Sequence, residues 1–127
     1  MKKLNWTEFD KAVAFIVEQC KYKKFTGVYG FPRGGLCLAV VLSHYLEIPF
    51  LIHPKEGCLV VDDIYDSGNT LSELKQLKDA EFFVWLSKKE PSWWNCYEIL
   101  KTDEWIIFPW EDENQAIKDM EEYYATN

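Results

Sequence analysis

Apolar positions along the chain change their period several times, and the changes divide it into elements. Phe9, Ala12, Val13, Ile16, Val17 and Cys20 recur at helical spacing. They predict an amphipathic helix over residues 7–21, with Thr7 as its N-cap and Asp10 at the third helical position. Gly27–Phe31 reads as a short strand, broken by Pro32-Arg33-Gly34-Gly35, and a helix follows from about Leu36 to Leu46. Ile48–Ile52 is a second apolar run, His53–Gly57 a turn-rich connector, and Cys58–Val61 a continuously apolar strand, as burial on both faces requires. Residues 70–78 are expected to be helical and Glu81–Leu86 to be a strand, with a polar break at Ser87–Glu90. Trp93–Leu100 carries little pattern. Trp105–Phe108 is a short strand stopped by Pro109, and Glu113–Tyr124 an acidic helix turning Ala116, Ile117, Met120 and the Tyr123-Tyr124 pair inward.

Strands alternating with helices predict an α/β fold with a largely parallel sheet. The connector 53–57 is short for that fold, because a parallel crossover ordinarily takes about a dozen residues or more. Either it runs straight back, or the strand at 48–52 is short and lies at an edge.

Length and composition narrow the picture. A chain of 127 residues holds one domain with a real core. Its net charge of −7 argues against a general nucleic-acid binder, which would show a basic face. Cys20, Cys37, Cys58 and Cys96 are scattered, and no pair has zinc-ligand spacing, so a reduced cytoplasmic protein is expected. No secretory signal and no apolar run long enough to span a bilayer is present, which leaves the membrane out.

The chemistry concentrates in Cys58–Thr70, CLVVDDIYDSGNT. Asp62 and Asp63 stand at the carboxyl end of the buried strand, the edge at which open α/β sheets bind ligands. Neighbouring strand residues point to opposite sides, so one carboxylate can take sugar hydroxyls while the other holds a magnesium ion. Asp66-Ser67-Gly68-Asn69-Thr70 then offers successive backbone N–H groups and two hydroxyls to a phosphate. Upstream, Pro32-Arg33-Gly34-Gly35 also lies between a strand and a helix, with glycines that free the backbone to wrap an anion and an arginine to pair with it. Trp105–Glu111, WIIFPWE, offers aromatic faces on which a base can stack and a strand edge to read its polar rim. His44 and His53 have no partner at ligand spacing and are given no role.

VVDDIYDSGNT resembles the phosphoribosyl pyrophosphate (PRPP) motif of the type I phosphoribosyltransferases, and Pro32-Arg33-Gly34-Gly35 resembles that family's pyrophosphate loop, in which the peptide before the arginine is often cis. WIIFPWE is similar to the hood segment of the xanthine-guanine and hypoxanthine members. The resemblance implies a single Rossmann-like α/β domain over residues 1–127, with a core over about 7–88 and a small C-terminal hood over about 89–127. It implies that Asp62, Asp63, Asp66, Ser67, Gly68, Asn69 and Thr70 bind PRPP, with Asp63 and Asp62 on Mg2+. Pro32, Arg33, Gly34 and Gly35 would hold pyrophosphate, and Arg33 would help it leave. Asp66 matches the acid that manages the base proton in purine-salvage members; orotate members usually carry threonine there. Trp105 and Ile106 would hold the base, with a lysine after the preceding strand on its oxygen; spacing favours Lys89 over Lys88.

The implied activity is transfer of the 5-phosphoribosyl group from PRPP to a purine-like base, with release of pyrophosphate and a nucleotide, by a homodimer or tetramer. One feature departs from the family. Its members carry a long flexible loop before the PRPP strand, and this chain has only His53–Gly57 there. That puts the efficiency of transfer in question and motivates an alternative, a non-catalytic PRPP- or nucleotide-binding module.

Overall fold

The computed structural model describes residues 1–126. In chain order the elements are β1 (Lys2–Lys3), α1 (Trp6–Cys20), β2 (Val28–Gly30), α2 (Leu36–Leu46), β3 (Phe50–Leu51), β4 (Leu59–Tyr65), α3 (Asn69–Ser72), β5 (Glu81–Ser87), β6 (Asn95–Ile99), β7 (Ile106–Ile107) and α4 (Glu113–Thr126). Five strands make an all-parallel sheet in the order β3-β2-β4-β5-β6. Helices α1 and α2 cover one face, burying Phe9, Ile16, Leu38 and Leu42 against Val28, Leu59, Val61 and Phe83. The other face packs Val60, Phe82 and Val84 beneath Leu71 and Trp94. This is the α/β architecture that the alternating pattern predicts.

Several elements differ locally from expectation. Helix α1 starts earlier, because Asn5 and Glu8 form a reciprocal capping box: the Asn5 side chain accepts the Glu8 N–H at 2.8 Å, and the Glu8 carboxylate accepts the Asn5 N–H at 3.2 Å. The helix expected at 70–78 is a single turn. Leu71, Leu74, Leu77 and Ala80 recur every third residue and pack on the sheet. Leu74 and Leu77 each donate an N–H to the carbonyl three residues back, so the segment proceeds by tight turns. β6 forms in the weakly patterned stretch and joins the main sheet as an edge strand, although the expected hood boundary near residue 88 lies before it. The hood strand β7 pairs outside that sheet, with β1, through Lys2 N–H to Trp105 O and Leu4 N–H to Ile107 O.

The short connector is accommodated in the second of the two ways foreseen, by a short strand at the sheet edge. β3 is a two-residue edge strand whose end, Leu51, lies level with Tyr29, and β4 begins level with Val28. The chain therefore steps back by about one residue while passing β2. It does so at the amino edge of the sheet, where Thr26 donates its N–H to Gly57 O at 3.0 Å and its hydroxyl to Glu56 O at 2.9 Å. Gly57 in turn donates to Lys78 O.

One irregularity positions the site. Along β4, Val61 faces the α1–α2 core and Val60 the opposite cluster, but Ile64 packs with the first and Tyr65 with the second. The alternation has slipped by one residue. β5 slips at the same level, since Trp85 and Leu86 both join the α1–α2 core. The register runs from Asp62↔Val84 to Ile64↔Leu86, so both strands absorb an extra residue, Asp63 and Trp85, and stay in step beyond it.

Candidate active site

β4 runs past its β2 neighbour, whose last register partner is Val61. Beyond that point the Asp62 and Asp63 carboxylates fold back on the strand: Asp62 Oδ1 accepts the Asp63 N–H and Asp63 Oδ1 accepts the Ile64 N–H, each at 2.8 Å. Because Asp63 is the extra residue of the slip, the two carboxylates are not sent to opposite faces as regular alternation requires. Both line the same cavity instead. Asp62 is 8% exposed. Burial, then the charge of Asp63, pushes the Asp62 carboxyl up to about 8, and burial also raises Asp63. Among the described residues no ion pair reaches either of them.

Asp63 is the common wall of three cavities. The first, about 240 Å³, is enclosed by Pro32, Gly34, Asp62 and the turn from Asp66 through Ser67 and Gly68 to Thr70. Gly68 sits at φ 85°, the left-handed region that glycine tolerates, and lets the chain turn back over this cavity. The second, about 490 Å³, lies between Arg33 and Gly34 on one side and Trp110, Glu111, Asp112, Gln115 and Asp119 on the other. The third, about 230 Å³, is lined by Asp66, Lys88, Glu104, Trp105, Ile106, Phe108 and Glu111. The Pro32–Arg33 peptide that leads into the second is cis. A continuous recess with a small polar pocket, an arginine-edged pocket and an aromatic pocket thus meets at one carboxylate.

No family model matches the chain. It is similar to curated xanthine-guanine phosphoribosyltransferases. The protein of Idiomarina loihiensis is 27% identical over 138 residues, 85% of each chain, and that of Chromohalobacter salexigens is 25% identical over 133 residues, 85% of this chain and 82% of the other. Among solved structures, the purine phosphoribosyltransferase of Pyrococcus horikoshii superposes with a TM-score of 0.73 at 26% identity, covering 87% of this chain and 93% of that one. The xanthine-guanine-hypoxanthine phosphoribosyltransferase of Helicobacter pylori shares the fold, with a TM-score of 0.74 at 23% identity over 93% of this chain and 98% of that one. The chain is thus similar, in sequence and in fold, to purine phosphoribosyltransferases.

Most residues singled out by sequence converge on the recess. Pro32, Gly34, Asp62, Asp63, Asp66, Ser67, Gly68 and Thr70 line the first cavity, Arg33 the second, and Trp105 and Ile106 the third. Gly35 stands behind, its N–H donated to Phe31 O at the start of α2. Asn69 is exposed, and its N–H donates to Ser67 Oγ at 3.3 Å. Lys89 is exposed and lines none of the three cavities, whereas Lys88 lines the third. The chain leaves β5 with Lys88 N–H bound to Tyr65 O, and of the two lysines Lys88 is the one that borders this cavity. The Lys88 ammonium lies 3.5 Å from Asp66 Oδ2 and 3.4 Å from Asp103 Oδ1. Burial alone would lower its pKa, but the charges of Asp66 and Asp103 outweigh that and raise it.

Three features of the site escaped the sequence reading. Glu111 caps the hood, accepting the Phe108 N–H at 2.8 Å; burial raises its carboxyl, and Asp63 and Asp119 add to the rise. Tyr123 and Tyr124 of α4 pack on the Trp105 ring, with centroids at 5.4 and 6.5 Å. The Trp105 Nε1–H is buried beside them without a hydrogen-bond partner among the described residues. Tyr65, under the Ser67–Thr70 turn, stacks on Trp94 with centroids 3.7 Å apart. Acid, tyrosine and tryptophan at these spacings also serve ordinary cores, so only the three-dimensional arrangement marks them. All four cysteines are unpaired. No helix among the described residues is long and apolar enough to cross a membrane, and no group of three or more His, Cys, Asp or Glu side chains among them could hold a metal without further ligands.

Proposed function

We propose that this protein transfers the 5-phosphoribosyl group of PRPP to a 6-oxopurine-like base, releasing pyrophosphate. The observation that carries this reading is the meeting of three chemically distinct cavities at Asp63. The 5′-phosphate would occupy the Ser67–Thr70 pocket, the pyrophosphate would lie along Arg33 and Gly34, and the base would lie between Trp105, Ile106 and Lys88. Its relatives' names as purine phosphoribosyltransferases support the same reaction class.

The Asp62–Asp63 pair fits Mg2+, which binds through one or two carboxylates and completes its shell with substrate oxygens and water. A buried carboxylate and its half-buried neighbour, neither with a basic partner, call for such a charge. When bound, Mg2+ would neutralise charge on the pyrophosphate as it departs. The protein's own groups do the rest. Arg33 offers a planar, permanently charged fork to the leaving pyrophosphate. Asp62 and Asp63 accept the ribose hydroxyls, which stabilises positive charge on the ribose as the bond to pyrophosphate opens. Asp66 faces the same cavity as Lys88 and Trp105, where its carboxylate can take the proton of the attacking base nitrogen. Lys88 would donate to the oxygen of the base, and its pairing with Asp66 keeps both side chains oriented before the base arrives. The enzyme would work in the cytoplasm as a homodimer or tetramer.

The test is an assay of pyrophosphate release from PRPP and Mg2+ over guanine, hypoxanthine, xanthine, adenine and pyrimidines, with identification of the nucleotide formed. Base-dependent release with a 6-oxopurine, lost on chelation and strongly reduced by Asp66→Asn, is the expected result. If no purine stimulates release, the reading fails.

A further inference from the structure

The turn that closes the first cavity rests on a buried phenol. Tyr65 is 7% exposed, and its ring is held by a parallel stack on Trp94 and an edge contact with Trp93. Trp94 is itself fixed, since its Nε1–H donates to Ser87 Oγ at 3.1 Å and the Ser87 hydroxyl donates to Lys89 O at 2.6 Å. This arrangement carries the Tyr65 hydroxyl to Gly68, so close that a Cβ on residue 68 would overlap it. Tyr65 lines the same cavity as Ser67, Gly68 and Thr70. Among the described residues its hydroxyl makes no hydrogen bond, and its oxygen is open to the cavity rather than sealed in the core. A phenylalanine would fill the space and make the stack equally well, so what the hydroxyl adds is a polar group at the wall of the cavity.

We propose that the Tyr65 hydroxyl is a ligand of the phosphate bound in this cavity, donating a hydrogen bond to one of its oxygens. The proposal rests on the phosphoribosyltransferase reading and adds a side chain to the site. A phenol is neutral and a good donor near neutral pH. Hydrogen bonds to an ionised acceptor are roughly twice as strong as those between neutral groups. The stack on Trp94 supplies orientation, so the donor is in place before the ligand arrives and little ordering remains for binding to cost. The group recognised is the phosphate monoester, because the hydroxyl lies against Gly68 on the 66–70 side of the cavity rather than at its Pro32 and Gly34 side, and the cavity does not reach Trp105.

Tyr65→Phe keeps the ring, the stack and the contact with Trp93 while deleting the hydroxyl. It should raise KM for PRPP by about tenfold or more. It should leave kcat at saturating PRPP and KM for the base unchanged, and weaken competitive inhibition by inorganic phosphate by the same factor as the PRPP effect. An unchanged KM for PRPP together with unchanged phosphate inhibition would overturn the proposal, whatever the activity of the parent chain. The same comparison can be read without turnover, by calorimetric titration of both proteins with ribose 5-phosphate. Weaker binding by the variant supports the hydroxyl as a ligand. Equal binding by the two proteins, or none by the parent, refutes it. Loss of base-stimulated release in the parent with ribose 5-phosphate binding intact would count against the transferase reading alone.

Discussion

Gly34 leaves no room for a methyl group between its own Cα and the carboxylate of Asp63: a Cβ there would overlap that carboxylate. The two residues come from different βα units, and their contact is where the arginine loop meets the end of β4. Gly34 also borders both the first and the second cavity. Gly34→Ala must therefore move either the loop or Asp63. Misplacement by about 1 Å near reacting atoms can cost about 10²-fold, and kcat/KM should fall by at least that much. Thermal unfolding should change little, since the loop is solvent-facing and its core contacts belong to Gly35 and α2. Kinetics with PRPP and unfolding on the same preparation check both parts. Near-normal kcat/KM would show that the loop and Asp63 are not held in this contact during catalysis.

The acid pair makes a pH prediction. The Asp62 carboxyl is raised to about 8 by burial and by Asp63, above its ordinary value of 3.8. A carboxyl whose folded value lies above its unfolded one favours the folded state while it is protonated. That contribution is complete below the unfolded value and is lost as pH rises through the folded value. Stability of the unliganded protein should therefore decline from about pH 4 towards pH 8 and above through this group. Asp62→Asn should flatten the decline and stabilise the chain at its alkaline end, by about 1–3 kcal/mol, while crippling transfer. Unfolding midpoints across this range for both proteins are the measurement. A parent profile that rises with pH, or a variant less stable than the parent at pH 8, contradicts the raised Asp62 carboxyl.

These two predictions mark the boundary of what the chain reveals when read by itself. The acids after LVV, the DSGNT turn and Arg33-Gly34-Gly35 were legible because each is a contiguous stretch whose chemistry follows from local order. The closeness of Asp62 to Asp63 was not. It depends on a slip shared by β4 and β5, and neither Asp63 nor Trp85 looks anomalous within its own strand. β1 was invisible for a related reason: a two-residue strand has no period, and Lys2-Lys3 pairs only because Ile106-Ile107 is brought alongside. The start of α1 was misplaced because Asn5…Glu8 and Thr7…Asp10 both fit a capping pattern. Reciprocal bonding between Asn5 and Glu8 decides between them.

The choice between the two lysines can be tested directly. Lys88 is partly buried between Asp66 and Asp103 and lines the aromatic cavity; Lys89 is exposed. Lys88→Ala should raise KM for the base by about 10- to 100-fold, the effect of losing a charge-assisted hydrogen bond, with a smaller effect on KM for PRPP. Lys89→Ala should leave both within about twofold, as is usual for an exposed side chain away from the site. A larger effect at Lys89 than at Lys88 would mean that the end of β5 turns the other way when a base is bound.

The connector between β3 and β4 invites the last prediction. In the resemblance to the family its position corresponds to a loop over the reacting groups, yet here Glu56 and Gly57 are bonded to Thr26, and Gly57 to Lys78, at the amino edge of the sheet. Asp62 and Asp63 lie at the carboxyl edge, beyond the last β2–β4 register pair, Gly30↔Val61. Residues 53–57 should then contribute to folding and not to turnover. Thr26→Val removes the hydroxyl bond to Glu56 O and leaves the backbone bond to Gly57 in place. It should destabilise the protein by about 1 kcal/mol, with kcat and both KM values unchanged. His53→Ala and Lys55→Ala should be silent in both respects. A fall in kcat or a rise in KM for PRPP in any of these variants, with stability preserved, would show that the connector leaves the amino edge during the reaction.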